Sequence, residues 1–340
     1  MRDSMIYEQA MRRAMELSLL GPTFGGNPQV GAVILDKDLN IISEGFHRGA
    51  GTDHAEVMAL KKLGSVPQGA IAVVSLEPCN HTGRTGPCAK ALIDAGIKTV
   101  VYGVTDPGVE SAGGAKTLTQ AGVTVHSGVL ANDIEQQQRV WLTSIRKQRP
   151  FISLKWAQTL DGRSSATDKS SKWISGSKSR AHVHKLRSEI DAILVGTNTV
   201  LVDNPELTAR TTDGELYDHQ PLRVIMGKTS VPEDSRIFDS SAETIQLKTH
   251  SIEEVLATLW QRDVRHLLVE GGAQVMSSFI ASGYFDEILV YQAPLLIGGT
   301  GLAVTDLGIH NMKDALQLEF VEITELSPDV FIRALPRKAK

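Results

Sequence analysis

The sequence contains few cysteines, no long apolar run and no surplus of basic residues. Its two cysteines, Cys79 and Cys88, are too few for a disulfide scaffold, and in a reducing compartment we expect them to stay unpaired. No stretch approaches the roughly 18 apolar residues that a membrane span needs. Lys and Arg total 35 against 39 Asp and Glu, a net charge of -4, which argues against a nucleic-acid partner held by phosphate contacts. We therefore expect neither a membrane nor a nucleic acid as partner.

The N-terminal segment, residues 1–21, alternates charged with apolar positions and lacks the continuous apolar core of a secretory signal. This pattern predicts a cytoplasmic protein. Apolar residues make up 41% and charged residues 22% of the chain, values typical of an ordinary soluble protein. At roughly 150 residues per domain, the length of 340 residues suggests about two domains.

The first half has the pattern of an α/β layer domain. Apolar positions at helical spacing between Tyr7 and Leu17 predict an amphipathic helix that stops at Gly21. Two β-rich runs separated by polar residues predict a hairpin, after which helical and strand patterns alternate. The predicted strands are 30–35, 40–46, 70–75, 99–103 and 123–126, and the predicted helices include 55–63, 88–95 and 133–147.

The second half predicts another α/β unit. Arg149 and Pro150 interrupt the helical pattern, so we place the two domains at residues 1–147 and 148–340. Residues 211–220 are polar and without period, which predicts a surface loop. The predicted strands are 151–157, 193–196, 223–226, 266–269 and 287–293, and a helix is predicted over 274–281.

His54, Cys79 and Cys88 form a candidate metal site. An imidazole and two thiolates suit Zn²⁺, and three protein ligands leave the fourth tetrahedral position for water, as in catalytic sites. Zinc lowers the pKa of such a water towards about 7. Glu56 could then carry the proton, the division of labour found in zinc deaminases, whose signature joins H-x-E to P-C-x-x-C. Here the second cysteine is displaced by a longer loop.

Three other interpretations stay open. An isolated H-x-E occurs by chance in many proteins, and two buried cysteines are often only packed in a core. A structural zinc is the stronger alternative, because His81 lies between the cysteines and could complete the tetrahedron as a fourth ligand. That alternative leaves Glu56 without a role, so the combined pattern favours a catalytic zinc.

Two segments of the first half resemble a known family. Residues 76–88, LEPCNHTGRTGPC, and residues 27–35, NPQVGAVIL, closely resemble the N-terminal half of the RibD family of bifunctional riboflavin-biosynthesis deaminase/reductases. The resemblance implies a cytidine-deaminase-like α/β/α domain in which the three candidate ligands hold Zn²⁺ and Glu56 shuttles the proton. It also implies a small phosphorylated substrate, a diaminopyrimidinone carrying a ribosylamino 5′-phosphate, which would lose ammonia from C2.

The same resemblance implies residues that bind this substrate. Asn27 and His47 match positions that line the pyrimidine pocket, while His81 and Arg84 lie in the loop that would hold phosphate and base. Arginine suits phosphate through its bidentate fork. The two histidines could instead be solvent-exposed loop residues.

Two departures from the family pattern bear on this site. Gly86 stands where the pattern has the first of two prolines, so the loop before Cys88 is less rigid. Residues 106–108, Asp-Pro-Gly, lack the asparagine of the family's D-P-N-P segment, and the region is one residue short. One substrate contact is therefore in doubt.

The second half lacks the G-x-G-x-x-G fingerprint of a dinucleotide-binding fold. Glu270, Gly271 and Gly272 follow a predicted strand and precede a predicted helix instead. Glycines there let backbone N–H groups approach a phosphate at the helix N-terminus. Strand-to-helix turns use glycine routinely, so this motif alone is weak evidence.

The surrounding segments resemble the reductase half of the same family, a dihydrofolate-reductase-like α/β domain. The segments 154–163, 170–175, 186–210 and 267–272 occur in the family's order and spacing. The resemblance implies hydride transfer from NADPH to C1′ of the ribosyl group, with Lys155 and Asp203 near the reacting centre. The implied NADPH contacts are Ala157, Trp173, Thr199, Asp203, Gly272, Ala273, Gln274, Val275, Met276, Ser277 and Ser278. The implied substrate contacts are Ser171, Arg187, Leu207, Arg210 and Glu270.

Each of these assignments has a structural alternative. Arg187 could be a solvated helix residue, Trp173 a core residue, and Asp203 the start of a simple turn. For the whole chain, the prediction is a bifunctional enzyme that performs zinc-dependent deamination and then NADPH-dependent reduction. The resemblance further suggests a homo-oligomer, a dimer or tetramer, assembled through the reductase domain.

Two other functions share parts of this evidence. A deaminase of nucleic-acid bases would share the zinc core, but the net charge, the longer cysteine loop and the second domain argue against it. A binding module with a structural zinc and a nucleotide-sensing second half is the alternative outside enzymology.

Overall fold

The computed structural model describes residues 2–82, 86–168, 170 and 174–337. The chain forms two compact units, Met1–Gln148 and Arg149–Lys340. None of the helices in the described part of the chain combines the length and the hydrophobicity that a bilayer span requires.

The first unit is built on a five-stranded sheet in the order β2-β1-β3-β4-β5. β1 pairs antiparallel with β2 and β3, whereas β3, β4 and β5 run parallel. The predicted hairpin is therefore confirmed as β1 and β2. The strands are β1 (Gly31–Leu35), β2 (Ile41–Phe46), β3 (Ile71–Leu76), β4 (Thr99–Val104) and β5 (Thr124–Ser127).

Helices cover both faces of this sheet. One apolar cluster joins α1, α5 and α6 to one face, and a second joins α2, α3 and α4 to the other. Every residue of β1 and β3 is buried, as in strands packed on both sides. The helices are α1 (Arg2–Ser18), α2 (Ala55–Leu63), α3 (Cys88–Asp94), α4 (Gly114–Gln120), α5 (Ala131–Gln137) and α6 (Arg139–Lys147).

The single helix predicted over 133–147 is wrong, since Gln138 divides it into α5 and α6 with φ -101° and ψ 18°. Tertiary contacts accompany the break. The Gln137 side chain donates hydrogen bonds to the Met15 carbonyl and to Ser18 Oγ, both in α1. Such long-range contacts leave no trace in the local apolar period.

The second unit is built on an eight-stranded sheet in the order β12-β13-β11-β6-β10-β7-β8-β9. The six strands from β11 to β9 run parallel, and β13 and β12 extend one edge antiparallel. The strands are β6 (Phe151–Thr159), β7 (Ala192–Gly196), β8 (Leu222–Met226), β9 (Thr244–Leu247), β10 (His266–Val269), β11 (Glu287–Ala293), β12 (Leu318–Leu326) and β13 (Asp329–Pro336).

Helices again cover both faces. α9 and α10 pack in one apolar cluster, and α7 and α8 in the other. Residues 211–220 lie outside the helices and strands, as predicted. The helices are α7 (Ser177–Arg187), α8 (Thr197–Asp203), α9 (Ile252–Gln261) and α10 (Ala273–Ser282), with short 3-10 helices at Arg236–Phe238 and Met312–Asp314.

Sequence patterning did not predict the edge hairpin of β12 and β13. The adjacent apolar residues Phe320 and Val321 break the alternation of a half-buried strand, and the pairing with β13 has an irregularity at this point. The same patterning also missed β9 and the helices α7, α8 and α9.

Candidate zinc and cofactor sites

The structure brings His54, Cys79 and Cys88 together. His54 precedes α2, Cys79 lies three residues beyond the end of β3, and Cys88 begins α3. Their ligand atoms lie within 4.8 Å of one another, with His54 Nδ1 at 3.2 Å from Cys88 Sγ and 3.5 Å from Cys79 Sγ. A tetrahedral zinc separates such ligand atoms by about 3.6 Å, given Zn–N near 2.0 and Zn–S near 2.3 Å. The cluster therefore fits zinc.

The two thiols are joined by a hydrogen bond that separates their pKa values. The hydrogen bond from the Cys88 thiol, with the nearby His54, lowers the pKa of Cys79 to about 4. The same bond to Cys79 and burial raise the pKa of Cys88. Zinc binds cysteine as thiolate, so a divalent ion here would hold both side chains deprotonated and offset their charge. His81 does not belong to this group of ligand atoms, so the described residues offer three protein ligands.

Glu56 lies in the first turn of α2 and is 3% exposed. Burial raises the pKa of its carboxyl group, and the negative charge of Cys79 raises it further. Glu56 is thus a carboxyl group held beside the cluster without being one of its ligands. This placement suits the predicted proton shuttle.

Asn27 and His47 also meet at this site. His47 is buried, not the solvent-exposed loop residue of the alternative interpretation, and its ring lies 5.1 Å from that of His54. Its Nδ1 is 3.2 Å from the Asp53 carbonyl, which can only accept, so Nδ1 carries the proton. Nε2 then accepts a hydrogen bond from Asn27 Nδ2 at 3.1 Å. This chain of bonds orients the Asn27 amide.

The loop between the cysteines is described only in part. Arg84 lies outside the described residues, whereas His81 is half-buried in the part that the structure describes. Asp106 is buried, and its carboxylate accepts a hydrogen bond from the Gly108 N–H at 2.8 Å. The Asp106 side chain thus lies inside the first unit.

The second unit contains a cavity of about 560 Å³, within the size range of small-molecule sites. It lies at the carboxyl ends of β7 and β8, where open α/β sheets bind ligands. Four predicted cofactor residues line it, namely Gln274, Val275, Ser277 and Ser278. Sequence reasoning missed other lining residues, including Gly196, Thr197, Asn198, Met226, His250, Thr305 and Asp306.

The other predicted cofactor residues do not line this cavity or lie outside the described residues. Gly272 precedes α10, and a Cβ there would lie 3.6 Å from Thr199 Oγ1, so these two residues are neighbours. The Met276 side chain is fully buried in the core and does not face the cavity. Trp173 and the predicted substrate residue Ser171 lie outside the described residues. Ala273, Ala157 and Asp203 do not line the cavity.

Glu270 joins two cations at the carboxyl end of β10. It accepts hydrogen bonds from Arg187 at 2.9 and 2.8 Å and from Lys155 Nζ at 3.3 Å. Burial opposes its charge, but the charges of Arg187 and Lys155 lower the pKa of Glu270 to about 2. Arg187 is therefore a largely buried ion-pair residue, with 13% of its side chain exposed, and not the solvated helix residue of the alternative interpretation. Both Glu270 oxygens are engaged within the protein.

The predicted substrate residues Leu207 and Arg210 follow α8 in a strained turn. Asn204 and Leu207 adopt left-handed backbone conformations, with φ 43° and 56°. The Arg210 side chain is held by Glu206, Thr208 Oγ1 and the Gly214 carbonyl. Asp203 ends α8 and is exposed.

Comparison with known proteins identifies the family. The family model described as the RibD C-terminal domain matches residues 150–332, and the cytidine and deoxycytidylate deaminase zinc-binding region matches residues 5–104. The riboflavin biosynthesis protein RibD of Mycobacterium tuberculosis is 44% identical over 333 residues, covering 97% of both chains. The chain belongs to the RibD family.

Solved RibD structures agree over the full length. RibD of Acinetobacter baumannii superposes with a TM-score of 0.91 at 33% identity, covering 98% of this chain and 100% of that one. A Thermotoga maritima protein gives 0.88 at 34% identity, with the same coverage. It is described as a diaminohydroxyphosphoribosylaminopyrimidine deaminase/5-amino-6-(5-phosphoribosylamino)uracil reductase.

Membership of the RibD family confirms the main predictions. The chain is a bifunctional deaminase/reductase of riboflavin biosynthesis, with a cytidine-deaminase-type domain followed by a RibD reductase domain. Its cofactors are zinc and NADPH. The α/β fold class predicted for both domains is confirmed as well.

Proposed function

We propose that this enzyme deaminates 2,5-diamino-6-(5-phosphoribosylamino)pyrimidin-4(3H)-one and then reduces the ribosyl group of the product to ribityl. The observation that carries the deaminase step is the cluster of three zinc ligands beside the buried Glu56. The name of the Thermotoga maritima relative supports the choice of substrate. We assign residues 1–147 to the deaminase and residues 148–340 to the reductase.

In the deaminase, each residue near the cluster has a distinct task. Zinc held by His54, Cys79 and Cys88 would supply a coordinated water whose pKa is lowered towards about 7. Glu56 holds the proton at a carboxyl oxygen and delivers it to the departing amino group. Asn27 offers its amide to the pyrimidine edge, oriented by its hydrogen bond with His47.

In the reductase, the protein binds and orients the reactants. NADPH would supply the hydride for C1′. Its diphosphate would contact the backbone N–H groups at the start of α10, because Gly272 carries no side chain there. Lys155 and Arg187, held by Glu270, present positive charge to the phosphorylated substrate.

A coupled assay tests both steps. Wild-type enzyme given the diamino substrate and NADPH should release ammonia and oxidise NADPH. Glu56→Gln should abolish ammonia release, because an amide cannot carry the proton, and should still reduce the deaminated product. Glu8→Gln, an exposed site in the same unit, is the matched control and should keep both activities. Simultaneous loss of both activities in a folded Glu56→Gln protein would contradict two separate sites.

We also propose a homo-oligomer assembled through the reductase unit. Phe320 and Ile323 of the edge strand β12 are 64% and 63% exposed. Exposed apolar side chains on a sheet edge are typical of surfaces covered by another chain.

Location in the cytoplasm stays a prediction.

A further inference from the structure

Glu77 is a buried acidic residue that the deaminase chemistry described above does not use. It lies between the end of β3 and the zinc ligand Cys79, and it is 4% exposed. Its backbone N–H donates to the Val104 carbonyl at the end of β4. A buried carboxylate costs free energy unless its oxygens find donors, so its partners indicate its purpose.

Both carboxylate oxygens of Glu77 accept backbone hydrogen bonds from a single segment. Oε2 accepts from the Asp106 N–H at 3.2 Å, and Oε1 accepts from the Ala115 N–H at 2.9 Å. These two donors are the first and last residues of 106–115, which run from the loop after β4 into the first turn of α4 and which we call the clamp segment. Glu77 therefore holds the two ends of the clamp segment at one point.

The clamp segment lies directly against the residues around Cys79. The Asn80 N–H donates to the Ser111 carbonyl at 2.8 Å. Gly114 approaches the Pro78 carbonyl so closely that a Cβ would lie 1.7 Å from its oxygen. The Asp106 carboxylate accepts a hydrogen bond from the Gly108 N–H at 2.8 Å, so the clamp segment is also tied within itself. The segment thus forms a wall beside the metal cluster.

We propose that Glu77 is a positioning residue that holds the clamp segment as one wall of the deaminase substrate pocket. Glu77 then affects the affinity for substrate by fixing the position of the clamp segment. Zinc binding and proton transfer depend on other side chains. This inference rests on the proposed deaminase function. It also explains why a carboxylate is needed, since both of its oxygens must accept and a glutamine has only one acceptor oxygen.

The test is Glu77→Gln, which keeps the shape of the side chain. The NH₂ group of the glutamine would face either the Asp106 or the Ala115 backbone N–H. Two hydrogen-bond donors would then face each other, and that hydrogen bond would be lost. We expect the KM for ammonia release to rise by about tenfold or more, the effect of losing one hydrogen bond to a charged acceptor. We expect kcat to stay within about threefold of wild type, with zinc still bound at one ion per chain.

Two controls accompany this variant. Glu8→Gln makes the same chemical change at an exposed site and should leave KM unchanged. The reductase activity of the same samples, measured with deaminated substrate and NADPH, reports whether the chain is folded. If Glu77→Gln does not fold, Glu77→Asp keeps both acceptor oxygens on a side chain one methylene shorter, which draws them away from the Asp106 and Ala115 N–H groups. It should give the same rise in KM.

The outcomes separate the alternatives. A rise in KM with zinc and reductase activity retained supports the proposal. An unchanged KM overturns it, and so does a fall in kcat alone. Loss of zinc with the activity also overturns it, because Glu77 would then support the ligand Cys79 instead of the substrate wall. Absence of ammonia release in the wild type would refute the proposed function, a result distinct from all of these.

Discussion

Glu270 carries the strongest charge interactions of the reductase site at the scale of single residues. Its carboxylate is shared by Arg187 and Lys155, and all three side chains are largely buried. A buried carboxylate between two cations is stable only as a complete group, because removing one charge leaves the others uncompensated. The resemblance to the family implied a substrate contact at Glu270. The geometry supports a role in positioning two cations.

Replacement of Glu270 by glutamine should inactivate the reductase selectively. Without the carboxylate, Lys155 and Arg187 repel each other and shift, and a misplacement of about 1 Å at a reacting centre can cost about a hundredfold. We expect kcat/KM for NADPH oxidation to fall by about that factor while ammonia release is retained. Initial rates of the two half-reactions, measured on one preparation, check this.

The free energy of unfolding gives a second readout for the same variant. The pKa of Glu270 is lowered from 4.5 to about 2, so its stabilisation is complete above pH 4.5 and is lost as the pH falls towards 2. Glu270→Gln should be less stable at pH 7 and should lose less stability than wild type in that acid window. Glu189→Gln, which breaks an exposed ion pair with Lys185, is the control and should cost under about 1 kcal/mol. Equal acid sensitivity of Glu270→Gln and wild type would contradict the assigned pair.

At the scale of elements, α6 supports the loop that carries Asn27. The Trp141 indole N–H donates to the Gly26 carbonyl at 3.1 Å. Gly25 and Gly26 both have positive φ, 89° and 83°, so this stretch of backbone suits glycine and needs an external support. α6 is thereby linked to a loop more than a hundred residues earlier in the chain.

Trp141→Phe should weaken substrate binding by the deaminase. It removes the N–H donor and keeps an aromatic ring in the core, so the Gly26 carbonyl loses its partner and Asn27 is held less firmly. Loss of one neutral hydrogen bond predicts a KM about threefold to tenfold higher, with zinc content unchanged. Steady-state ammonia release and metal analysis measure this. The effect is not expected in reductase assays, and a wild-type KM would show that the bond does not position the loop.

Some features at this scale were predictable from sequence and others were not. The hairpin of β1 and β2 and the buried strand β3 were predictable because their apolar runs and polar turn are local signals. The break at Gln138 was not predictable, since it accompanies contacts with α1. β12 was missed because the adjacent apolar residues Phe320 and Val321 break the two-residue alternation of a strand.

At the scale of the whole molecule, each unit has its own sheet and its own apolar clusters. Two independent cores explain why a substitution in one catalytic site is expected to spare the other activity. Each half-reaction is therefore a folding control for variants in the other unit.

The oligomer is expected to depend on β12. Phe320→Ser combined with Ile323→Ser removes two exposed apolar side chains, each worth about 1.5–3 kcal/mol if fully buried. The dissociation constant of the oligomer should rise by at least about a hundredfold, measured by sedimentation or light scattering against concentration. Leu20→Ser, at a residue 64% exposed in the other unit, is the matched control. Persistence of the oligomer in the double variant would exclude β12 as the interface.

The sequence by itself determined the chemistry of the zinc cluster. His54, Glu56 and Cys79 stand in short motifs whose ligand types specify a metal and a proton carrier, and local spacing is enough to identify them. The nature of the enzyme followed from these motifs together with the family resemblance.

Only the tertiary structure decided which residues distant in the chain form ion pairs, hydrogen bonds or the lining of one cavity. The pairing of Glu270 with Arg187, the Glu77 bonds to the clamp segment, and the place of His250 in the cavity join residues far apart in the chain. Such contacts depend on strand order and on which loops meet at one sheet edge. Local periodicity does not encode that order, because it records which face of an element is buried and not what covers it.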